Sequence, residues 1–312
     1  MSKLKIKEIV NYLESTGYKF IFKGDENNLI SGFSTLFNYQ EGTITFVSSL
    51  NSFNDHAALF KDRKIQLIII DPDEEIHESF TNVIRIEKPK KVFFSILDHF
   101  FTETSNEDMF MIVNNHPADS KRSFISDNAL IGKNVRIGSG CVIEEGVYIG
   151  DNTNIHHNVV IRSKTKIGKN CTILSGTIIG ESGFNPLKEN DNSRNLIKHY
   201  GGVTIKDNVH IGDNCNISKG SIEDTIIKSG VKINKQVILA HNVRVGEHTV
   251  FTAPTFVGGS VQIGEKCHIA ATVIRNQCKI GENATLGLGS VVVKDVEAGE
   301  TVIGNPARPM VR

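Results

Sequence analysis

The residues best equipped for chemistry sit in one pentapeptide, Leu239-Ala240-His241-Asn242-Val243. An imidazole titrates near physiological pH, so His241 can take a proton from a nucleophile as a general base without modification. Eighteen residues further on stands Gly259, inside Gly258-Gly259-Ser260, where the missing side chain lets a reacting group approach the backbone N–H. The five cysteines, Cys141, Cys171, Cys215, Cys267 and Cys278, show no Cys-x-x-Cys spacing. A reactive thiol also needs an electropositive setting, so they read as small buried fillers. His156, His157, His210, His248 and His268 read as solvated decoration. The short basic runs Lys61 to Lys64 and Lys88 to Lys91 read as solvated faces, with phosphate binding as the alternative.

These groups need a scaffold, and a repeat supplies one. Steps of six from Ile125 give Ile131, Ile137, Ile143, Ile149, Ile155, Ile161, Ile167, Ile173 and Ile179. A period of six fits neither the helix at 3.6 nor simple strand alternation, and a fixed repeat of this kind marks a solenoid. After an interruption the row resumes at Ile205, Ile211 and Ile217 and slips near Ile222. It then runs through Ile227, Ile233, Leu239, Val245, Phe251, Val257, Ile263 and Ile269, and a five-residue step to Ile274 precedes Ile280, Leu286 and Val292.

The place four residues after each of these is small or β-branched, as in Val135, Val147, Thr153, Val159, Thr165 and Thr177, and all five cysteines occupy it. Both sets should point inward and stack. Three hexads make one triangular coil of 18 residues, with Gly, Asn and Asp at corners that need φ > 0. Roughly eight or nine such coils leave ends and faces to be capped or paired. His241 falls at the third place of its hexad, near a corner, where its side chain can leave the core and face a neighbouring subunit.

Composition narrows the classes. The 312 residues carry 35 Lys+Arg against 35 Asp+Glu, which excludes the basic excess that a nucleic-acid or anionic-membrane surface needs. No run of 18 apolar residues offers a membrane span, and the first ten residues lack a secretory h-region, so a cytoplasmic location is expected. There is no Trp, 17 of the 22 Phe and Tyr precede residue 125, and 23 of the 27 Gly follow it. The chain therefore joins two different materials. Before the repeat, Leu4 to Leu13 has helical apolar spacing and Val92 to Phe101 reads as a second helix. Tyr18 to Phe22, Thr43 to Val47 and Gln66 to Ile70 read as strands, which predicts a small α/β domain. The expected layout is a domain at 1–114, a linker at 115–124, a solenoid at 125–296 with an inserted loop at 180–203, and a terminal segment at 297–312.

The hexads Ile-Gly-Lys-Asn-Val-Arg, Ile-Gly-Asp-Asn-Thr-Asn and Ile-Gly-Glu-Lys-Cys-His resemble the left-handed parallel β-helix of hexapeptide acyltransferases, mostly homotrimers. The order of features is more specific. An α/β start, ten hexads and Gly180-Glu181-Ser182-Gly183-Phe184 lead to a polar excursion ending at His199-Tyr200-Gly201-Gly202-Val203, and then to Leu239–Val243. That order resembles the UDP-3-O-acylglucosamine N-acyltransferases of lipid A assembly over nearly the whole chain.

The resemblance implies that His241 is the general base and that the Gly259 N–H receives the oxyanion. It implies a uridine held between rings in the N-terminal domain after Ile44-Thr45-Phe46, with Phe53 near the place of the second ring. Stacking and core packing stay open for both rings, since stacking needs exposure. His199 matches a His or Gln that could contact the acceptor. Phe184, Tyr200, Asn234 and Asn242 complete the expected acceptor set. A zinc carbonic anhydrase on the same fold would need a His-x-x-x-x-His spacing that is absent, so no metal is expected.

Three features depart from that family. Gln277 stands where relatives commonly place a second His, and Asn234 stands where they carry Asp. The chain also ends on Gly304-Asn305-Pro306-Ala307-Arg308-Pro309, similar to acetyltransferases that use coenzyme A, instead of a helical tail that engages acyl carrier protein. The expectation is therefore a cytoplasmic homotrimer without a tightly bound cofactor. It would transfer an acyl group from a thioester, acyl-CoA being favoured, to the amine of a nucleotide-linked amino sugar. Gln277, Gly304, Pro306 and Arg308 are expected on the donor side. The alternatives are a lipid A N-acyltransferase fed by acyl carrier protein, and a non-catalytic nucleotide-sugar scaffold.

Overall fold

The computed structural model describes residues 3–36, 38–47, 64–74, 78–101 and 123–310. Phe53, most of the Lys61 to Lys64 run and the Asn114 to Arg122 connection lie outside them. The chain forms two compact units, Met1–Glu107 with Pro186–Lys198, and Asp108–Asn185 with His199–Arg312.

The first unit is α/β. Helix α1, Ile6–Ser15, buries Ile6, Ile9, Val10 and Leu13, the one-sided apolar stripe that its sequence dictates. Helix α2, Pro89–Phe100, starts on a proline whose missing N–H costs nothing there, and it buries Val92, Phe93, Ile96 and Leu97. Five short strands form a mixed sheet in the order Phe20–Lys23, Val83–Ile86, Leu67–Ile70, Thr43–Phe46, Gly32–Phe33. Leu67–Ile70 is buried at every position, as a central strand requires. Val83–Ile86 and the two-residue Gly32–Phe33 are the strands of this sheet that pattern reading misses.

The second unit is a parallel β-solenoid with three faces. Its first face runs from Arg136–Ile137 to Thr301–Ile303, its second from Phe124–Ile125 to Val291–Val292, and its third from Leu130–Ile131 to Lys279–Ile280. Register repeats at one coil, as in Ile137 with Ile155 and Ile143 with Ile161. From Ile143 onward the hexad row and its fourth-place partners fill one continuous core, the five cysteines included, with Ile137 partly buried against it, while Ile125 and Ile131 at the start of the row are exposed. Burial of each such Ile contributes about 2 kcal/mol, which two-residue strands could not supply through backbone pairing alone. Corners turn through left-handed residues such as Asn134, Asn152, Asn170 and Asn208.

Two boundaries differ from the expected layout. The 180–203 insertion is not a loop throughout. Pro186–Lys188 and Arg194–Leu196 pair as an antiparallel hairpin that groups with the first unit. Asn192 in a left-handed turn and a Ser193 N–H bond to Asp191 close its tip. The Glu189 carboxylate bonds the Lys91 ammonium of α2, which holds the hairpin there. The second difference is the terminal segment. Thr301–Ile303 adds a further strand beside Thr285–Leu286, and Arg308–Pro309 folds back on it. Val302, an apolar residue stacked above Leu286, carries the core to this end.

Candidate functional site

His241 occupies the corner between the second-face strand Val237–Leu239 and the third-face strand Arg244–Val245. Core positions Leu239 and Val243 on either side are fully buried, so the chain must turn sharply between them. Asn242 takes the left-handed place at φ 62°, a conformation that Asn tolerates better than most residues. The imidazole is thereby directed out of the core and stays partly exposed.

The side chains at this turn place in successive coils stand in a column. Elsewhere the upper one caps the backbone of the lower: Asp151 accepts the Lys133 N–H at 2.8 Å and Asp207 accepts that of Lys169 at 2.7 Å. Above His241 the residue is Gly259, which has no such cap to offer. A Cβ built there would lie 2.7 Å from Nε2 of His241 and 2.8 Å from Cε1, so only glycine leaves the ring its place. On another side of the ring is Gly183. Its added Cβ would meet Cβ of His241 at 2.9 Å and Cε1 of His199 at 2.7 Å. Two glycines, one on each coil-facing side, make the slot for this imidazole.

Hydrogen bonds fix which nitrogen carries the proton. The Asn242 Oδ1 accepts the Ser221 N–H at 3.0 Å, and its Nδ2 donates to the Glu223 carbonyl at 3.4 Å. The amide is therefore oriented by the backbone, with oxygen facing Nδ1 of His241 at 3.0 Å. An amide oxygen only accepts, so Nδ1 holds the proton and Nε2 holds the lone pair, beside Gly259. This is the form of a neutral imidazole that can act as a base at Nε2. Asn242, expected to touch the acceptor, turns its amide oxygen to the His241 ring.

The remaining expected residues divide. His199 is 2% exposed and packs edge-on to His241, ring centroids 5.2 Å apart, and its Nδ1 accepts the Gly183 N–H at 3.1 Å. It is a wall of the slot. Tyr200 is also buried, its backbone N–H bonded to Ser221, so its ring is not presented to solvent. Phe184, one residue past Gly183, is 77% exposed. Gln277 lies at the same corner two coils above His241, exposed, its N–H bonded to the Gly259 carbonyl at 2.9 Å.

Asn234 stands at a different corner, between first and second faces, where its Oδ1 caps the Lys235 N–H at 2.8 Å. Gly304 and Pro306 belong to the turn that caps the last second-face strand, the Gly304 carbonyl accepting the Val291 N–H at 3.0 Å, and Arg308 donates to the Ala307 carbonyl. The expected donor set is thus not assembled at one corner of this chain. Phe46 lies in the first unit, half-buried, its ring 4.8 Å from that of Phe93.

Sequence reasoning misses one ladder at the His241 corner. Arg162 bonds Glu144 below it at 2.6 Å, and through Nε and Nη2 it bonds Glu181 at 2.9 and 2.7 Å. Burial pushes the Glu181 carboxyl up, but the Ser182 N–H and the Arg162 guanidinium outweigh it and hold the group below its usual value. The ladder anchors the chain two residues before Gly183. The 18-residue step from Glu144 to Arg162 is the signal that was present. Among the described residues no three His, Cys, Asp or Glu side chains gather in a way that could hold a metal ion, and no helix is long and apolar enough to cross a membrane.

Comparison with known proteins bears on the repeat and its fold. Residues 128–163 and 146–181 match the family described as bacterial transferase hexapeptide (six repeats). The UDP-3-O-acylglucosamine N-acyltransferase of Bordetella parapertussis is 37% identical over 101 residues, covering 32% of this chain and 28% of that protein. The protein called UDP-3-O-acylglucosamine N-acyltransferase 2 in Sulfurimonas denitrificans is 36% identical over 116 residues, 37% of this chain and 36% of that one. The match thus spans about a third of the length of these relatives. Among solved structures, the UDP-N-acetylglucosamine O-acyltransferase of Moraxella catarrhalis superposes with a TM-score of 0.55 at 28% identity, over 62% of this chain and 73% of that one. The chain carries the hexapeptide repeat of bacterial transferases, wound as the left-handed β-helix of the acyltransferases it resembles.

Proposed function

We propose that this chain is an N-acyltransferase that moves an acyl group from a thioester to the amino group of a nucleotide-linked amino sugar. The observation that carries the reading is the lone pair of His241 Nε2 held beside Gly259 while Asn242 fixes the proton on Nδ1. The amine nitrogen attacks the thioester carbonyl carbon and forms the C–N bond. Nε2 takes the proton that the amine must lose, and the Gly259 N–H meets the negative charge on the carbonyl oxygen. Collapse breaks the C–S bond, and the imidazolium returns its proton to the departing sulfur. No acyl-enzyme forms. The five buried thiols are core members, which fits direct attack.

The acceptor to test first is UDP-3-O-acylglucosamine, the one in the names of the relatives. For the donor, acyl-CoA remains the proposal, with acyl carrier protein thioester as the rival. We further propose a homotrimer. Outward residues of the second face, Val142, Val160, Ile178, Ile238, Phe256, Val273 and Val291, are apolar, the row being interrupted at Asn216, and it passes beside the His241 corner at Ile238. A neighbouring copy seated on that row would cover it and bring a second wall to the site. The test is thioester release by purified protein over a panel of UDP- and dTDP-linked amino sugars, with acetyl-CoA, 3-hydroxyacyl-CoA and 3-hydroxyacyl carrier protein as donors. Release that needs both an amino sugar and an acyl-CoA supports the full reading. Turnover from carrier protein alone removes the CoA assignment, and no turnover with any pair removes the enzyme.

A further inference from the structure

An amide is symmetric in shape, so Asn242 could present nitrogen instead of oxygen to His241 if nothing prevented it. What prevents it is a single turn. Between strands Asn216–Ser218 and Thr225–Ile227 the chain makes a corner longer than the one that holds His241, and this turn supplies both partners of the amide, the Ser221 N–H and the Glu223 carbonyl. The turn is itself held on two sides. Asp224 accepts the Gly202 N–H at 2.8 Å and the Thr204 hydroxyl at 2.6 Å. Glu223, the residue whose carbonyl reads the amide nitrogen, has its carboxylate bound by the guanidinium of Arg244, two residues past Asn242.

That ion pair is oddly built for a merely stabilising contact. Its Glu223 side chain is 20% exposed, and while one carboxylate oxygen meets Arg244, the other, Oε1, is buried with no hydrogen-bond partner. Burying an incompletely bonded charge disfavours the fold, so its benefit must be sought elsewhere. The geometry offers one. The pair ties the strand that follows His241 to the turn that orients Asn242.

We infer that Glu223 and Arg244 are positioning residues for the base: they pin the 220–224 turn, which holds the Asn242 amide with oxygen toward His241 and so keeps the proton on Nδ1. With the pair broken, the turn loosens and the amide reverses in a fraction of molecules. In those the amide nitrogen donates to Nδ1, the proton moves to Nε2, and the atom beside Gly259 no longer has a lone pair. The catalytic consequence rests on the function proposed above, while the tautomer itself does not.

The test uses the full chain. Imidazole 15N spectra of wild type, Arg244→Ala, Arg244→Lys, Glu223→Gln and the Arg244→Ala/Glu223→Gln double variant are recorded beside kcat and KM, with the His241 signals assigned through His241→Gln. The wild type is expected to show Nδ1–H at His241. Arg244→Ala should mix in the Nε2–H form and lose about tenfold in kcat, with KM within about twofold, because only the competent fraction turns over. The double variant should be no worse than either single one, and Arg244→Lys should recover part of the loss. An unchanged Nδ1–H signal in Arg244→Ala would overturn the inference, whether or not activity falls. If the wild type acylates nothing, the functional reading fails and the spectra still decide the tautomer.

Discussion

Nε2 of His241 faces Gly259 so closely that a Cβ on the glycine would lie 2.7 Å from the nitrogen. The two residues are one coil apart and linked through the backbone, the Ser260 N–H donating to the His241 carbonyl at 2.8 Å. Their spacing is therefore set by the solenoid's ladder and not by a mobile loop. A base and a backbone N–H fixed by one ladder need little reorganisation when charge develops between them.

Replacing that glycine is the most local perturbation. Gly259→Ala keeps the N–H but drives a methyl group into the imidazole. We expect kcat to fall by about 10²-fold or more, on the scale of losing an oxyanion donor, with the far-ultraviolet circular dichroism unchanged. Near-normal turnover would mean that the ring has another place to go.

Asn242 is tested by Asn242→Gly, which keeps the left-handed turn at φ 62° and removes only the amide. A base without its orienting partner should lose about 10²-fold in kcat with KM little changed. A variant whose KM rises while kcat holds would return Asn242 to the acceptor-binding role that the sequence suggests.

Much of this was legible in the sequence, for a physical reason. A solenoid core forces the same apolar choice every six residues, so the row from Ile125 to Val292 announces the fold, the corners and the 18-residue step from His241 to Gly259. The hairpin at Pro186–Leu196 was less legible because it leaves that period, and its partner on α2 is Lys91, nearly a hundred positions away. The contact of Asn242 with His241 is hidden for a different reason. Its neighbours in space, Ser221 and Glu223, come from a corner where the repeat slips, so no periodicity points to them. The burial of His199 and Tyr200 likewise follows from three-dimensional packing that the polar look of their segment conceals.

The thiols give a test of the core. All five are buried, and burial pushes those of Cys141, Cys171, Cys215 and Cys267 above their ordinary range. A thiol-disulfide reagent at neutral pH should titrate none of them rapidly in the native protein and all of them in guanidinium. A fast stoichiometric reaction in the folded state would show one to be exposed.

Glu181 gives a pH dependence. Its folded carboxyl lies below the ordinary value of 4.5, because the Ser182 N–H and Arg162 favour the charged form despite burial. A depressed carboxyl contributes stability that is present above its unfolded value and lost as pH falls through the folded one. The melting temperature of Glu181→Gln should therefore lie below that of wild type at pH 7, and the gap should close as both are taken below pH 4. A gap that persists undiminished in acid would assign the difference to packing.

Whether His241 is the base is decided by steady-state acyl transfer with His241→Ala beside wild type. With an amino-sugar acceptor and a thioester donor at neutral pH, and with both proteins matched in melting temperature and oligomeric state, the variant should lose about 10²- to 10⁴-fold in kcat, the range of general-base catalysis. Turnover of His241→Ala within a fewfold of wild type would show that another group takes the proton.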